Sequence, residues 1–284
     1  MATYQLNMPE NRTTSVVFAS PHSGRSYSRA FLRKTILDNM TIRSSEDAFV
    51  DVLFGDVPSF GAPLLMAHAP RAFVDLNRSS DELDPALIDG VRKTSHNPRV
   101  ASGLGVIPRV VSNGRSIYRG KISRMDVEAR ISTHWAPYHK ALETLLEQSH
   151  QLHGEAVLID CHSMPHEAIK CATRGGDTKA DIVLGDRFGA SANRDIVDRI
   201  EAAFVGAGLK VARNAPFAGA YITQHYGRPS RNQHVVQVEI DRSIYMNEIL
   251  IQPNENFQSF QSLITEISKQ ISSIGMSKMP LAAE

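Results

Sequence analysis

The sequence predicts an α/β fold, a mostly parallel or mixed sheet covered by helices on both faces, and three observations carry that expectation. Short apolar runs recur along the chain, as in Val16-Val17-Phe18-Ala19 and Val157-Leu158-Ile159, and continuous rather than alternating apolarity marks strands buried on both sides. Helical patterns fall between those runs, and strands alternating with helices build layered α/β sheets. The 284 residues, 42% of them hydrophobic, suit one substantial core. The whole chain, 1–284, therefore reads as a single domain.

Strands are expected at about 14–20, 63–68, 71–75, 155–161, 181–185, 209–213 and 234–240, each rich in valine, isoleucine, leucine or alanine. Helices are expected near 29–39, 46–54, 191–206 and 256–272. In the last, Phe257, Phe260, Leu263, Ile264, Ile267 and Ile271 recur at three-and-four spacing, the mark of one buried face. Ser191 reads as the N-cap of the 191–206 helix and Gly206-Ala207-Gly208 as its close. The stretch 124–152 carries Ile131, Trp135, Tyr138, Leu142 and Leu145 on one face, and Pro137 must kink or split it. Segment 77–120 has prolines at 85, 98 and 108, five glycines and little periodicity. A loop that long inside a compact domain is usually functional.

Charge excludes some partners. Lysine plus arginine (31) nearly cancels aspartate plus glutamate (30), so nothing global points to nucleic acid or a membrane surface. The N-terminus lacks a basic stretch leading into an apolar one, and no apolar run approaches the ~20 residues of a membrane helix. Two cysteines, Cys161 and Cys171, make no disulfide framework. A soluble, cytoplasmic protein is expected.

Two of the predicted strands each deliver a histidine at their carboxyl ends, His22 and His162. Imidazoles held on rigid strand ends suit a metal's fixed coordination geometry. A catalytic zinc takes three protein ligands and keeps one position open. The third ligand is expected from the acidic pair Glu46-Asp47, with Asp47 preferred, although acids at a helix start also serve the helix dipole. Asp160 projects to the same side of its strand as His162 and could accept a hydrogen bond from an imidazole. His166 is a rival ligand if a helix begins there, but Ser163-Met164-Pro165-His166 favours a loop.

Glu239 stands inside Val235-Val236-Gln237-Val238-Glu239-Ile240. A carboxylate buried there costs several kcal/mol unless paired or used. Beside a metal it would serve as general base; the structural alternative is an ion pair with Arg242. Asn77 and Arg78 open the long loop, and an arginine fork with an adjacent amide recognises a carboxylate. Arg71, Arg109, Arg115, Arg119, Arg124 and Arg130 concentrate positive charge over the same region, so a small anionic substrate is expected.

Taken together, Ser20-Pro21-His22-Ser23-Gly24, Ser45-Glu46-Asp47-Ala48-Phe49-Val50, Asp75-Leu76-Asn77-Arg78, Asp160-Cys161-His162-Ser163-Met164, Gly219-Ala220-Tyr221-Ile222-Thr223, Gly227-Arg228-Pro229 and Val238-Glu239-Ile240 resemble the N-formylglutamate amidohydrolase family over about 20–245. That family resembles the zinc carboxypeptidases and aspartoacylase-like deacylases, which implies a single-domain α/β sandwich with a mixed sheet. The resemblance implies one Zn2+ on His22, His162 and an acid of the 46–47 pair, a catalytic Glu239, and substrate-carboxylate recognition by Asn77 and Arg78. It implies hydrolysis of an N-acyl acidic amino acid, N-formyl-L-glutamate, to formate and L-glutamate in histidine catabolism. Zinc carboxypeptidases place their acidic ligand three residues after the first histidine, and here that residue is Arg25. The same constellation would also serve a carboxypeptidase-like exopeptidase; a non-catalytic acidic-ligand binder would hold no metal.

Overall fold

The computed structural model describes residues 3–92, 97–172 and 179–276. Its main sheet has seven strands: β1 (Tyr4–Asn7), β2 (Val16–Ser20), β3 (Leu64–Ala67), β4 (Ala156–Met164), β5 (Ile182–Gly185), β6 (Val211–Arg213) and β7 (Gln233–Asp241). Their order is β1-β3-β2-β4-β7-β5-β6. The four central strands β3, β2, β4 and β7 are parallel, while β1 and β5 join antiparallel, so the sheet is mixed.

Side chains alternate between two cores. Val16, Phe18, Val157, Ile159, Val236 and Val238 face one cluster; Val17, Ala19, Leu158 and Val235 face the other. A strand covered on both faces needs apolar residues at every position, which is why the runs read as continuous.

The helices are α1 (Arg29–Lys34), α2 (Val50–Leu53), α3 (Pro98–Ala101), α4 (Arg124–Arg130), α5 (Ala136–His153), α6 (His166–Ala172), α7 (Arg194–Gly206), α8 (Tyr221–Tyr226) and α9 (Phe257–Ser272). α7 and α9 pack on the first face and α5 on the second. Between α4 and α5 a π-helical turn spans Ile131–Trp135. It ends two residues before Pro137, whose missing N–H and ring the widened turn accommodates. Among the described residues no helix is long and apolar enough to cross a membrane.

Several expectations need correction. Residues 71–75 form no strand: Pro70 O accepts from Phe73 N and Val74 N, making a turn, and Ala72 and Val74 are apolar because the turn is buried. β1 was not foreseen, being a short, half-buried strand. The helix expected at 46–54 shrinks to α2, because Phe49 adopts a left-handed φ of 67° that no helix continues. α7 begins after Asn193, and the Ser191 hydroxyl donates to Val235 O instead of capping. His166 does begin a helix, but its Nδ1 lies 2.7 Å from Asp241 Oδ2 and it joins no metal cluster. Cys161 is a free buried thiol.

Candidate active site

His22 lies two residues beyond β2, and His162 is the seventh residue of β4, the next strand in the sheet. Parallel neighbours end on the same edge, so the two imidazoles meet edge to face with ring centres 4.8 Å apart. Asp47 is brought to them by the backbone bond from its N–H to His22 O, 3.0 Å. Its Oδ2 lies 2.9 Å from His162 Nδ1 and 3.5 Å from His22 Nδ1. Ligand atoms of these three buried residues all fall within 4.8 Å of one another.

The outer nitrogens are held from behind. His22 Nε2 lies 2.7 Å from Asp75 Oδ1, and Asp75 in turn accepts from Arg71 Nε and Asn77 N. His162 Nε2 sits between Asp160 Oδ2 at 3.1 Å and Asn77 Nδ2 at 3.2 Å. The Asp160 contact has ion-pair length without hydrogen-bond alignment. A carboxylate hydrogen-bonded behind an imidazole fixes its tautomer and ring orientation, as Asp75 does for His22, and both Nδ1 atoms turn toward Asp47. Glu46 goes elsewhere: Arg43 grips it through two 3.0 Å bonds and Tyr27 donates a third.

Burial pushes the Asp47 carboxyl up, but the imidazoles of His162 and His22 and the charge of Arg242 outweigh it, holding the group well below the usual range. Burial is likewise outweighed at Asp75, where His22 and Arg71 hold the carboxyl low. Burial lowers His162, yet Asp160, Asp47 and Glu239 together raise it well above an ordinary histidine. The donor set fits zinc, two imidazole nitrogens and one carboxylate oxygen, and the buried His22 Nδ1 has no hydrogen-bond partner in the protein.

Glu239 stands next to His162 in the β4–β7 register. Its Oε1 accepts from Gln237 Nε2 at 2.8 Å, and burial, opposed by His162, pushes its pKa up to about 7. The expected alternative partner, Arg242, is engaged by Asp47 and Ser163. Above the cluster opens a cavity of about 580 Å³ lined by His22, Arg71, Asn77, Arg78, His162 and Glu239, a size that suits a small molecule. Residues of the 77–120 segment, Arg99 among them, form part of its wall. Arg78 is 6% exposed, its Nε is unbonded, and among the described residues no carboxylate pairs with it. Asn77 is more committed: its Oδ1 accepts from Ile222 N at 2.8 Å, and its Nδ2 lies 3.2 Å from His162 Nε2. Arg109, Arg124 and Arg130 are paired with Asp84, Glu128 and Asp126, while Arg115 reaches Thr41. Reading the sequence alone missed Gln237 and the Asp75 brace; only the fold joins Asp75 to a histidine 53 residues away.

The sequence model of the N-formylglutamate amidohydrolase family matches residues 14–246, a span holding the whole cluster. The chain belongs to this family. The N-formylglutamate deformylases of Pseudomonas aeruginosa and Pseudomonas putida are 28% and 27% identical to it, with 82% of each chain covered. The crystal structure of N-formylglutamate amidohydrolase from Ralstonia eutropha JMP134 superposes with a TM-score of 0.90 at 33% identity, covering 97% of this chain and 99% of that one. The gene product Atu2144 of Agrobacterium tumefaciens shares the fold at a TM-score of 0.65 and 16% identity. Membership makes the chain an amidohydrolase relative, and its family span contains β2, β4 and β7, the strands that position the cluster.

Proposed function

We propose that this chain hydrolyses the N-formyl amide of N-formyl-L-glutamate to formate and L-glutamate, with one zinc ion held by His22, Asp47 and His162. The observation that carries the reading is the convergence of two imidazole Nδ1 atoms and one carboxylate oxygen beneath an arginine-lined cavity. Bound zinc supplies a Lewis acid and brings the pKa of a bound water to about 7.

Glu239, beside His162, takes the proton from the attacking water and returns it to the departing amine. Burial raises its pKa to about 7 in the metal-free protein, which favours the proton it must carry, while a bound cation would favour the ionised form the first step needs. Arg71 keeps its Nε on Asp75 and lines the cavity, so its remaining donors face the negative charge that develops on the amide oxygen. Arg78 receives the α-carboxylate, assisted by the side-chain amide of Asn77. The proposed setting, carried by family resemblance, is cytoplasmic histidine catabolism.

The test is release of free L-glutamate by purified protein, stripped of metal and then reloaded with zinc, from N-formyl-L-glutamate, N-acetyl-L-glutamate and a dipeptide with C-terminal glutamate. Zinc-dependent release from the formyl compound is expected. Faster cleavage of the dipeptide, or no release with zinc bound, overturns the reading.

A further inference from the structure

Two aromatic side chains on the helical segment behind the cavity bond to carbonyls on either side of Asn77. Trp135 Nε1 donates to Arg78 O at 2.9 Å, and His139 Nε2 lies 2.9 Å from Leu76 O. Their rings are in contact, centres 4.0 Å apart. A carbonyl only accepts, so His139 Nε2 carries the proton and Nδ1 accepts from the Tyr226 hydroxyl at 2.9 Å. Tyr226 closes α8, and α8 is itself tied to the same loop through Ile222 N and Asn77 Oδ1. The His139–Leu76 bond is buried and the Trp135–Arg78 bond part-buried, and donors or acceptors left unpaired away from water are costly.

We infer that Trp135 and His139 are positioning residues that clamp Leu76 and Arg78 by their carbonyls and so aim the Asn77–Arg78 pair at a carboxylate in the cavity. This rests on the proposed function for the identity of the substrate. Neither residue is itself part of the cavity lining, so each acts through the backbone on either side of Asn77. Burial lowers the His139 pKa to about 3, which keeps the clamp neutral and its tautomer fixed at working pH. The aromatic cluster around it, Tyr221, His225 and Tyr226, stiffens the clamp without adding charge.

The clamp predicts a rise in KM without a matching loss of kcat. Trp135→Phe keeps the ring and removes one donor, so KM for N-formyl-L-glutamate should rise about tenfold, the usual effect of one lost hydrogen bond. kcat should stay within about twofold. His139→Leu should act alike, and His139→Gln, whose amide can still donate to Leu76 O, should restore part of the loss. In an Arg78→Lys background Trp135→Phe should add little, because the group it aims is already impaired. Unchanged KM with only a lower melting temperature, or effects that add fully to Arg78→Lys, overturns the inference.

Trp135 is also the chain's single tryptophan, which gives a readout independent of turnover. Titration with L-glutamate should shift its emission in wild type and not in Arg78→Lys. If wild-type protein releases no formate, the functional reading fails on that result alone. A glutamate response lost with Arg78→Lys would still uphold the clamp, and the absence of any response would overturn it.

Discussion

The guanidinium of Arg242 lies 2.8 Å from Asp47 Oδ1, which leaves Oδ2 to face His162 and His22. Arg242 is held in turn by Ser163 Oγ, Ser163 O and Ser44 O, so all its polar contacts serve to orient one carboxylate. A lysine keeps the charge but loses the fork that fixes Asp47. Arg242→Lys should therefore weaken zinc binding about 10- to 100-fold, as loss of a ligand's supporting partner commonly does. Competition with a chelator measures it; unchanged affinity would show that Asp47 needs no such support.

The acidic pair separates cleanly in space. Asp47→Ala removes the oxygen facing both imidazoles and should abolish tight zinc binding and turnover together. Glu46→Ala should leave zinc stoichiometry intact and lower thermal stability instead, because it strands Arg43 and the Tyr27 hydroxyl. Metal content and melting curves of the two variants give the ranking, and zinc loss in Glu46→Ala would reassign the ligand.

How much of this was legible beforehand depends on sequence distance. The strands bearing His22, His162 and Glu239 are continuous apolar runs, and a polar residue at such a run's end or centre announces itself. Asp47 could be narrowed only to a pair, because the left-handed Phe49 that ends the approach to α2 leaves no reliable mark in a non-glycine residue. The Asp75 brace, the turn of Arg242 toward Asp47 and the Trp135–His139 clamp each join residues more than 50 positions apart. Such pairings come from the layering of strands and helices, not from local spacing. Local signals misled at 71–75, where apolarity reflects a buried turn, and at Ser191, whose hydroxyl found a strand carbonyl.

Substrate recognition is tested most directly at Arg78. Arg78→Lys should raise KM for N-formyl-L-glutamate by about tenfold or more, since a planar fork is replaced by a point charge. The α-carboxamide analogue should be a poor substrate for wild type and nearly indifferent to the substitution. Equal turnover of acid and amide by wild type would move carboxylate recognition to another arginine, with Arg99 on the same cavity wall the next to try.

Glu239 gives two pH signatures of one buried carboxyl. As a base it must be ionised, so kcat/KM should fall as pH drops through the Glu239 pKa of the zinc-loaded enzyme, which the nearby cation holds below the metal-free value of about 7. Glu239→Gln should keep zinc and lower turnover roughly 10²–10⁴-fold, flattening that limb. Stability should move the other way. The folded pKa stands above the unfolded one, so between about 4.5 and 7 the unfolded state sheds its proton first and the fold loses stability as pH rises. The loss is complete above about 7 and on the order of 3 kcal/mol. Metal-free Glu239→Gln escapes it and should melt above metal-free wild type at pH 8, while the difference closes near pH 4.5. Denaturation of both metal-free proteins across that range measures the effect. A pH-independent gap would mean Glu239 is ionised throughout, and its service as a proton carrier would then have to arise only once the metal is bound.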